Sequence, residues 1–438
     1  MRSTKDLKIL TAINRYAKRI PSRLHMPGHK GKLKLFKGFS RLDVTELNEI
    51  DNFSVVSEAE KDIAKLLGAS KAIFLTGGAT LGIYAMLNSV RKLGDKIIVH
   101  RSMHKSVFSA VEIFGIEPII IGKTVVGDIQ EEVSVNEIKE ALENNPTAIG
   151  VFLNAVDYYG RVPDLKVIKD LVSSHKKLLI LDNAHGAQFK AVGKAYAGDY
   201  ADLWVDSAHK TLNTLNQGAI VFSNNKGIEE SLVSSTAALS STSPSYPLLA
   251  SIEYGVKTLF KEIENYKKTE QKVLNLQSAL NSAGIVCKIF SDGLKLLVDL
   301  FASGIKEQNV EILLNKKGVY PELIGNGYVL FMFSPNNKKK DFTRVFTSLK
   351  NLKGEKIDRE VKVISPIKKA SYFETKNKCT EYIDLKQAEG KICAENAGVF
   401  PPCVPIVFAG EIITKEIIKV LESKNVFGIK NGKIKTVI

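Results

Sequence analysis

No apolar run in this 438-residue chain approaches the roughly 20 residues that a bilayer span requires. The opening stretch, MRSTKDLKILTAINRYAKRI, also lacks the apolar core of a secretory signal. Both absences lead to the expectation of a cytoplasmic protein with no membrane partner. Cysteine is scarce. Cys287, Cys379, Cys393 and Cys403 are widely spaced and form no C-x-x-C pair, which argues against a disulfide framework and a zinc site and leaves buried free thiols as the expectation. No metal site is expected. The chain also shows no internal repeat and no low-complexity linker.

What remains is an ordinary globular composition, with 44% apolar and 25% charged residues. The length is enough for two or three domains, each with a core. A formal charge of +15 raises the question of nucleic acid. The lysines, however, are scattered over amphipathic helices, and the densest cluster is NNKKK at 336–340. That pattern reads as a solvated surface, and no nucleic-acid partner is expected.

The seven histidines are unevenly placed: His25, His29, His100, His104, His175, His185 and His209 all precede Lys210. Most fall in the compact polar clusters HMPGHK, RSMHKS, DNAHG and SAHK, which is what a site assembled from the first half of the chain would produce. That half alternates regularly. Strands are expected at 71–77, 96–100, 117–122, 148–153, 177–182, 201–206 and 218–223, with helices at 79–94, 105–115, 135–145 and 165–175. Short continuous apolar runs between amphipathic helices predict an α/β fold whose mostly parallel sheet is covered on both faces. Such sheets bind ligands at the carboxyl ends of their strands.

Three clusters fall at those ends. TGGATLG (76–82) closes a strand and opens a helix, so the amides of Gly78, Ala79 and Thr80 would face an anion. It matches neither the P-loop nor the dinucleotide fingerprint. LDNAHG places Asp182 at a second strand end, and VDSAHK places Ser207 and Lys210 at a third. A phosphate cradle, a carboxylate and a lysine, in that order, suit pyridoxal phosphate. This cofactor carries a phosphate, a ring nitrogen that must stay protonated, and an aldehyde that a lysine can hold covalently. A carboxylate near the ring nitrogen favours the charged ring. A shielded lysine beside that ring loses its own proton more readily, so Lys210 is expected to be uncharged at rest.

The clusters HMPGHK, RSMHKS, DNAHGAQF, DSAHKTLNTLNQGA, TSPSYPLLAS and EYIDLKQAEGKICAENAGVFPPCVPIVFAGE together resemble the Orn/Lys/Arg decarboxylase family, in its short form without an N-terminal wing domain. The resemblance covers nearly the whole chain. It implies a pyridoxal-phosphate-dependent, aspartate-aminotransferase-like (fold-type-I) large domain with a smaller α/β domain and a C-terminal domain. It further implies decarboxylation of arginine, lysine or ornithine to the corresponding amine, feeding polyamine metabolism. On this resemblance Lys210 would hold the cofactor aldehyde, Asp182 would pair with the ring nitrogen and His104 would stack on the ring. Ala79, Thr80, Ser207 and His209 would surround the phosphate. Ser241 would reach the phosphate of a neighbouring subunit, making a homodimer or dimer-based oligomer. His185 is equally consistent with a structural and a catalytic role. His25 and His29 read as a turn near the mouth of the site.

The layout that follows is an N-terminal arm at 1–50, a large cofactor domain at 51–255, a small α/β domain at 256–350 and a decarboxylase C-terminal domain at 351–438. A single long helix is expected over 246–284. Acids that could recognise a basic side chain are the stretch DVTELNEIDN (43–52), Glu322 and Glu395. The chain departs from the family pattern at Asn154, Ala155 and Val156, at Asn183 in place of a common glutamate, at Asn216 in place of a proline, and in FAGE (408–411). None of these removes a cofactor contact, but they leave the substrate open. An aminotransferase, a carbon–carbon lyase and a non-catalytic binding protein on the same fold are the alternatives.

Overall fold

The computed structural model describes residues 6–19, 29–36, 38–44, 55–399, 404–422 and 425–438. His25, Cys403 and positions 45–52 of the acidic stretch lie outside the described residues. The chain divides into two compact units, Met1–Leu93 with Leu178–Ile263, and Gly94–Lys177 with Glu264–Ile438. The first eight strands, in chain order, are β1 (Lys71–Leu75), β2 (Lys96–His100), β3 (Glu117–Ile121), β4 (Thr124–Val126), β5 (Gly150–Asn154), β6 (Leu178–Asp182), β7 (Leu203–Asp206) and β8 (Ala219–Ser223). Among the described residues no helix is long and apolar enough to cross a membrane, and no cluster of three potential metal ligands occurs.

In the first unit the strands lie side by side in the order β1, β8, β7, β6. β6 and β7 are parallel, whereas β8 runs antiparallel to both β7 and β1. The reversal of β8 has a simple cause. Between β7 and β8 the chain forms only the four-residue helix Ala208–Thr211, too short for the crossover that a parallel return demands. Every residue of β7 and β8 is buried, so these strands carry no polar alternation. Trp204 stacks on Phe222 at 4.8 Å, and Tyr196 meets the indole edge-on at 6.1 Å. The helix Lys8–Arg19 is anchored by buried Glu253, which accepts from the backbone amides of Lys8 and Ile9 at 2.8 and 3.0 Å. Its charge is balanced by Lys257, 3.0 Å away.

The single helix expected over 246–284 is in fact two, Tyr246–Leu259 and Ile263–Ser282. No glycine or proline marks the break. Thr258 donates its hydroxyl back to the Tyr254 carbonyl at 2.7 Å, a bond that bends helices. In the turn that follows, Glu262 accepts from the Asn213 side chain.

In the second unit β5, β2 and β3 are neighbours and run parallel. A four-stranded antiparallel sheet follows from β9 (Cys287–Lys288), β10 (Lys295–Asp299), β11 (Leu323–Gly325) and β12 (Tyr328–Met332), in the order β11, β12, β10, β9. It packs on the helices Ile263–Ser282 and Lys339–Leu349 through Val273, Leu280, Leu296, Phe331 and Phe342. The C-terminal stretch begins with β13 (Lys362–Ile364), paired with β4, and has a core of its own that includes Leu385, Ile406, Ile413 and Ile434. Cys287 and Cys393 are buried as expected; Cys379 is exposed, because it lies in the surface segment leading into the C-terminal sheet.

Arg101, which follows β2, is fully buried. Its guanidinium donates to Glu411 at 2.6 Å and to Thr124 at 2.7 Å and lies 5.0 Å from the Phe408 ring centre. Glu411 is buried as well and also accepts from the Phe408 amide. Removing one partner of such a pair strands a charge away from water, so Glu411→Gln should cost about 3 kcal/mol of stability. The expected result is a lower urea midpoint with an unchanged slope.

Candidate active site

The register of the first unit aligns its strand ends. Leu75 pairs with Ala219, Asp206 with Ile220, and Asp182 with Val205. The carboxyl ends of β1, β7 and β6 therefore lie on one edge of the sheet, with the start of β8 between them. The turn leading into β8 ties two of the expected clusters together. The Gly78 amide donates to the Gln217 carbonyl at 2.8 Å, and the His209 amide donates to the Gly218 carbonyl at 3.1 Å. Gln217 adopts a positive φ of 71°, and a Cβ on Gly218 would fall 2.4 Å from Thr214. The sequence reading gave this turn no role, although a glycine just ahead of an apolar strand marks a close approach.

The helix Gly78–Val90 starts without a side-chain cap, which leaves the first amides without intrahelical partners. Gly78 has a φ of 71°, and a Cβ there would meet nothing within 4 Å, so the space in front of the helix start is open. Ala79 and Thr80 sit in that first turn, as expected. Gly82 explains how the helix comes so near the strand ends. A Cβ at this position would lie 2.5 Å from Val205 and 2.9 Å from Leu75, so only glycine lets the helix rest directly on the sheet. The Ser207 hydroxyl is 3.3 Å from His209 Nδ1, which also lies 3.2 Å from the Gly218 carbonyl. Burial lowers the His209 pKa, against the pull of that carbonyl and with reinforcement from Lys210. A neutral imidazole results at neutral pH.

Asp182 closes β6 and is 5% exposed. Burial raises its pKa, while the charge of Lys210 and the Ala184 amide, 3.0 Å away, pull it back down. Lys210 lies in the short helix after β7, with Nζ 3.2 Å from Nε2 of buried His185. Contrary to the shielded lysine expected, Lys210 is exposed; the structure joins it to the one histidine whose role the sequence left open and makes its charge felt at Asp182. A second buried acid, Asp206, was not anticipated. It accepts from the Asn183 amide at 2.6 Å and from the Tyr196 hydroxyl at 2.8 Å. Burial pushes its pKa up to about 7, with Asp182 adding to the rise and the two donors opposing it. A polar residue closing a fully apolar strand was the available signal.

His104, in the second unit, caps the helix Lys105–Phe114, its Nδ1 accepting from the Ser106 amide at 3.2 Å. Ser241 is exposed and accepts from the Ser243 amide. His29 sits in a turn with Nε2 3.0 Å from Asp43. Of the other acids considered, Glu322 accepts from the Tyr158 hydroxyl at 2.8 Å.

The first unit thus offers an open, uncapped helix start, a half-buried neutral histidine, a buried carboxyl and a lysine at one sheet edge. This donor set fits the phosphate, ring nitrogen and aldehyde of pyridoxal phosphate.

Comparison with known proteins identifies a family and a fold. The family model described as Orn/Lys/Arg decarboxylase, major domain, matches residues 8–290, and the model of that family's C-terminal domain matches residues 354–430. The uncharacterized protein YaaO of Bacillus subtilis is 29% identical, and the arginine decarboxylase of the same organism is 28% identical. Each alignment spans 94% of this chain and 92% of the relative. The solved structure of the constitutive lysine decarboxylase of Escherichia coli resembles this one with a TM-score of 0.79 at 16% identity, covering 99% of this chain and 82% of that one. The fold is that of the fold-type-I enzymes.

Gly82→Ala is expected to cost about 1–3 kcal/mol through overpacking against Val205. By lifting the helix start from the strand edge it should also weaken uptake of pyridoxal phosphate, measured by equilibrium dialysis.

Proposed function

The chain belongs to the Orn/Lys/Arg decarboxylase family, and from that premise we propose that it is a pyridoxal-phosphate-dependent decarboxylase of a basic amino acid, with arginine the first candidate ahead of lysine and ornithine. The observation that carries this reading is the meeting of buried Asp182 and His185 with exposed Lys210 at the edge where the helix Gly78–Val90 begins. The full-length similarity to a relative named arginine decarboxylase supports the order of substrates.

Bound pyridoxal phosphate supplies an electron sink for the pair left behind when carbon dioxide departs. The chain's own groups do the rest. Lys210 would hold the cofactor's aldehyde through its side-chain amine. Asp182, kept from water, stabilises a proton on the ring nitrogen. The amides of Ala79 and Thr80, with Ser207 and His209, bind the phosphate. His185, within reach of Lys210 Nζ, passes a proton to or from that amine.

His104 as the ring-stacking residue and Ser241 as a group supplied to a second subunit belong to the same proposal, which carries with it a homodimer, the domain layout with a C-terminal domain at 351–438, a cytoplasmic location and a product amine that feeds polyamine synthesis.

The test is a substrate screen with arginine, lysine and ornithine, scoring carbon dioxide and amine together. Arginine is expected to yield both in equal amounts, and Lys210→Ala and Asp182→Asn to bring the yield to background. Borohydride treatment should fix the cofactor on the peptide carrying Lys210. Keto acid in place of carbon dioxide would turn the assignment to an aminotransferase.

A further inference from the structure

Beneath the turn that carries Asp182 and His185 lies a buried polar chain to which the proposed reaction assigns no task. The Trp204 indole donates to the Tyr196 hydroxyl at 3.1 Å, which donates to Asp206 Oδ2 at 2.8 Å. Asp206 Oδ1 accepts from the Asn183 side-chain amide at 2.6 Å. All four side chains are buried. Asn183 is bound at three points: its backbone amide donates to the Val205 carbonyl at 2.9 Å, its carbonyl accepts from Gly186 at 2.9 Å, and its side chain reaches Asp206. It stands between Asp182 and His185 in the chain, while Asp206 directly precedes Ser207.

We propose that Asp206 is a positioning residue, which grips Asn183 and so fixes the turn presenting Asp182 and His185 to Lys210. The role rests on the cofactor reading of the site, but the grip itself is a property of the protein alone. A buried carboxyl is normally a liability, and three adjacent elements make this one tolerable. β7 carries it, the turn after β6 supplies the Asn183 donor, and the segment around Tyr196 supplies the hydroxyl. The titratable groups facing it are Tyr196 and Asp182, and Asp182 in turn feels Lys210. Asparagine at 183 suits this arrangement, because a carboxyl there would confront Asp206 with a second acid instead of a donor.

Asn183→Asp breaks the grip by setting carboxyl against carboxyl. The exchanged pair, Asn183→Asp with Asp206→Asn, restores it with the charge moved across, since the new amide donates to position 183 while its oxygen still accepts from Tyr196. In cofactor-free protein the single variant should speed hydrogen exchange at the Ala184 and Gly186 amides, and the exchanged pair should return it to the wild-type rate. With pyridoxal phosphate added, the single variant should bind about tenfold more weakly, an ordinary coupling within one hydrogen-bond network. The pH midpoint of the bound cofactor's absorbance should move by about one unit, and both effects should revert in the exchanged pair.

Wild-type exchange, affinity and pH midpoint in the single variant would overturn the proposal. So would a loss of stability that leaves affinity and midpoint unchanged, since that marks a structural contact only. If the wild type takes up no pyridoxal phosphate, the functional reading falls; the exchange rates then decide the grip, faster exchange reversed by the pair supporting it and unchanged exchange overturning it.

Discussion

A carboxyl group shut away from water at the end of an apolar strand is costly to ionise. At Asp182 burial raises the pKa and Lys210 and the Ala184 amide offset part of that rise, and the candidate site is organised around this balance. Lys210 can answer Asp182 only because β6 and β7 run parallel, with Asp182 in register with Val205. The phosphate end follows from the neighbouring reversal. Antiparallel β8 returns its Gln217–Gly218 turn to the same edge, where it binds both Gly78 and His209. One short connection, too small for a crossover helix, therefore brings together parts of the chain that are far apart in sequence.

Electrostatics within the site have little to do with the net charge of the chain. The excess of lysine lies on solvated surfaces, where charges farther apart than about 8 Å are screened at physiological salt. The buried groups act over shorter distances. Asp182 and Asp206 close the paired strands β6 and β7, where the surroundings are apolar and screening is weak. Arg101 and Glu411 show the same principle in the second unit. There a buried pair, not a surface network, ties the segment leading to His104 to the C-terminal stretch.

The alternating strands and helices of the first half were legible because each strand there is a short apolar run set between amphipathic helices, and Asp182 and Lys210 stood out as polar residues at the ends of such runs. Other features left no such trace. The break after Leu259 has no glycine or proline to announce it. Asp206 looked like the last residue of a strand; its importance appears only when Asn183 and Tyr196 are seen to converge on it. Cys379 was read as buried from its chemistry alone, yet the path of the backbone left it exposed.

The sequence by itself determined which residues could carry the chemistry, their order along the chain and the class of fold, because periodicity and the placement of polar residues at strand ends are local properties. The tertiary structure decided which of those residues meet. The direction of β8, the contact of Lys210 with His185, the close seat of the helix at Gly82 and the grip on Asn183 all depend on strand pairing between segments tens to more than a hundred residues apart. Such pairing is set by which apolar faces bury one another, a choice made by the chain as a whole and written in no single stretch of it.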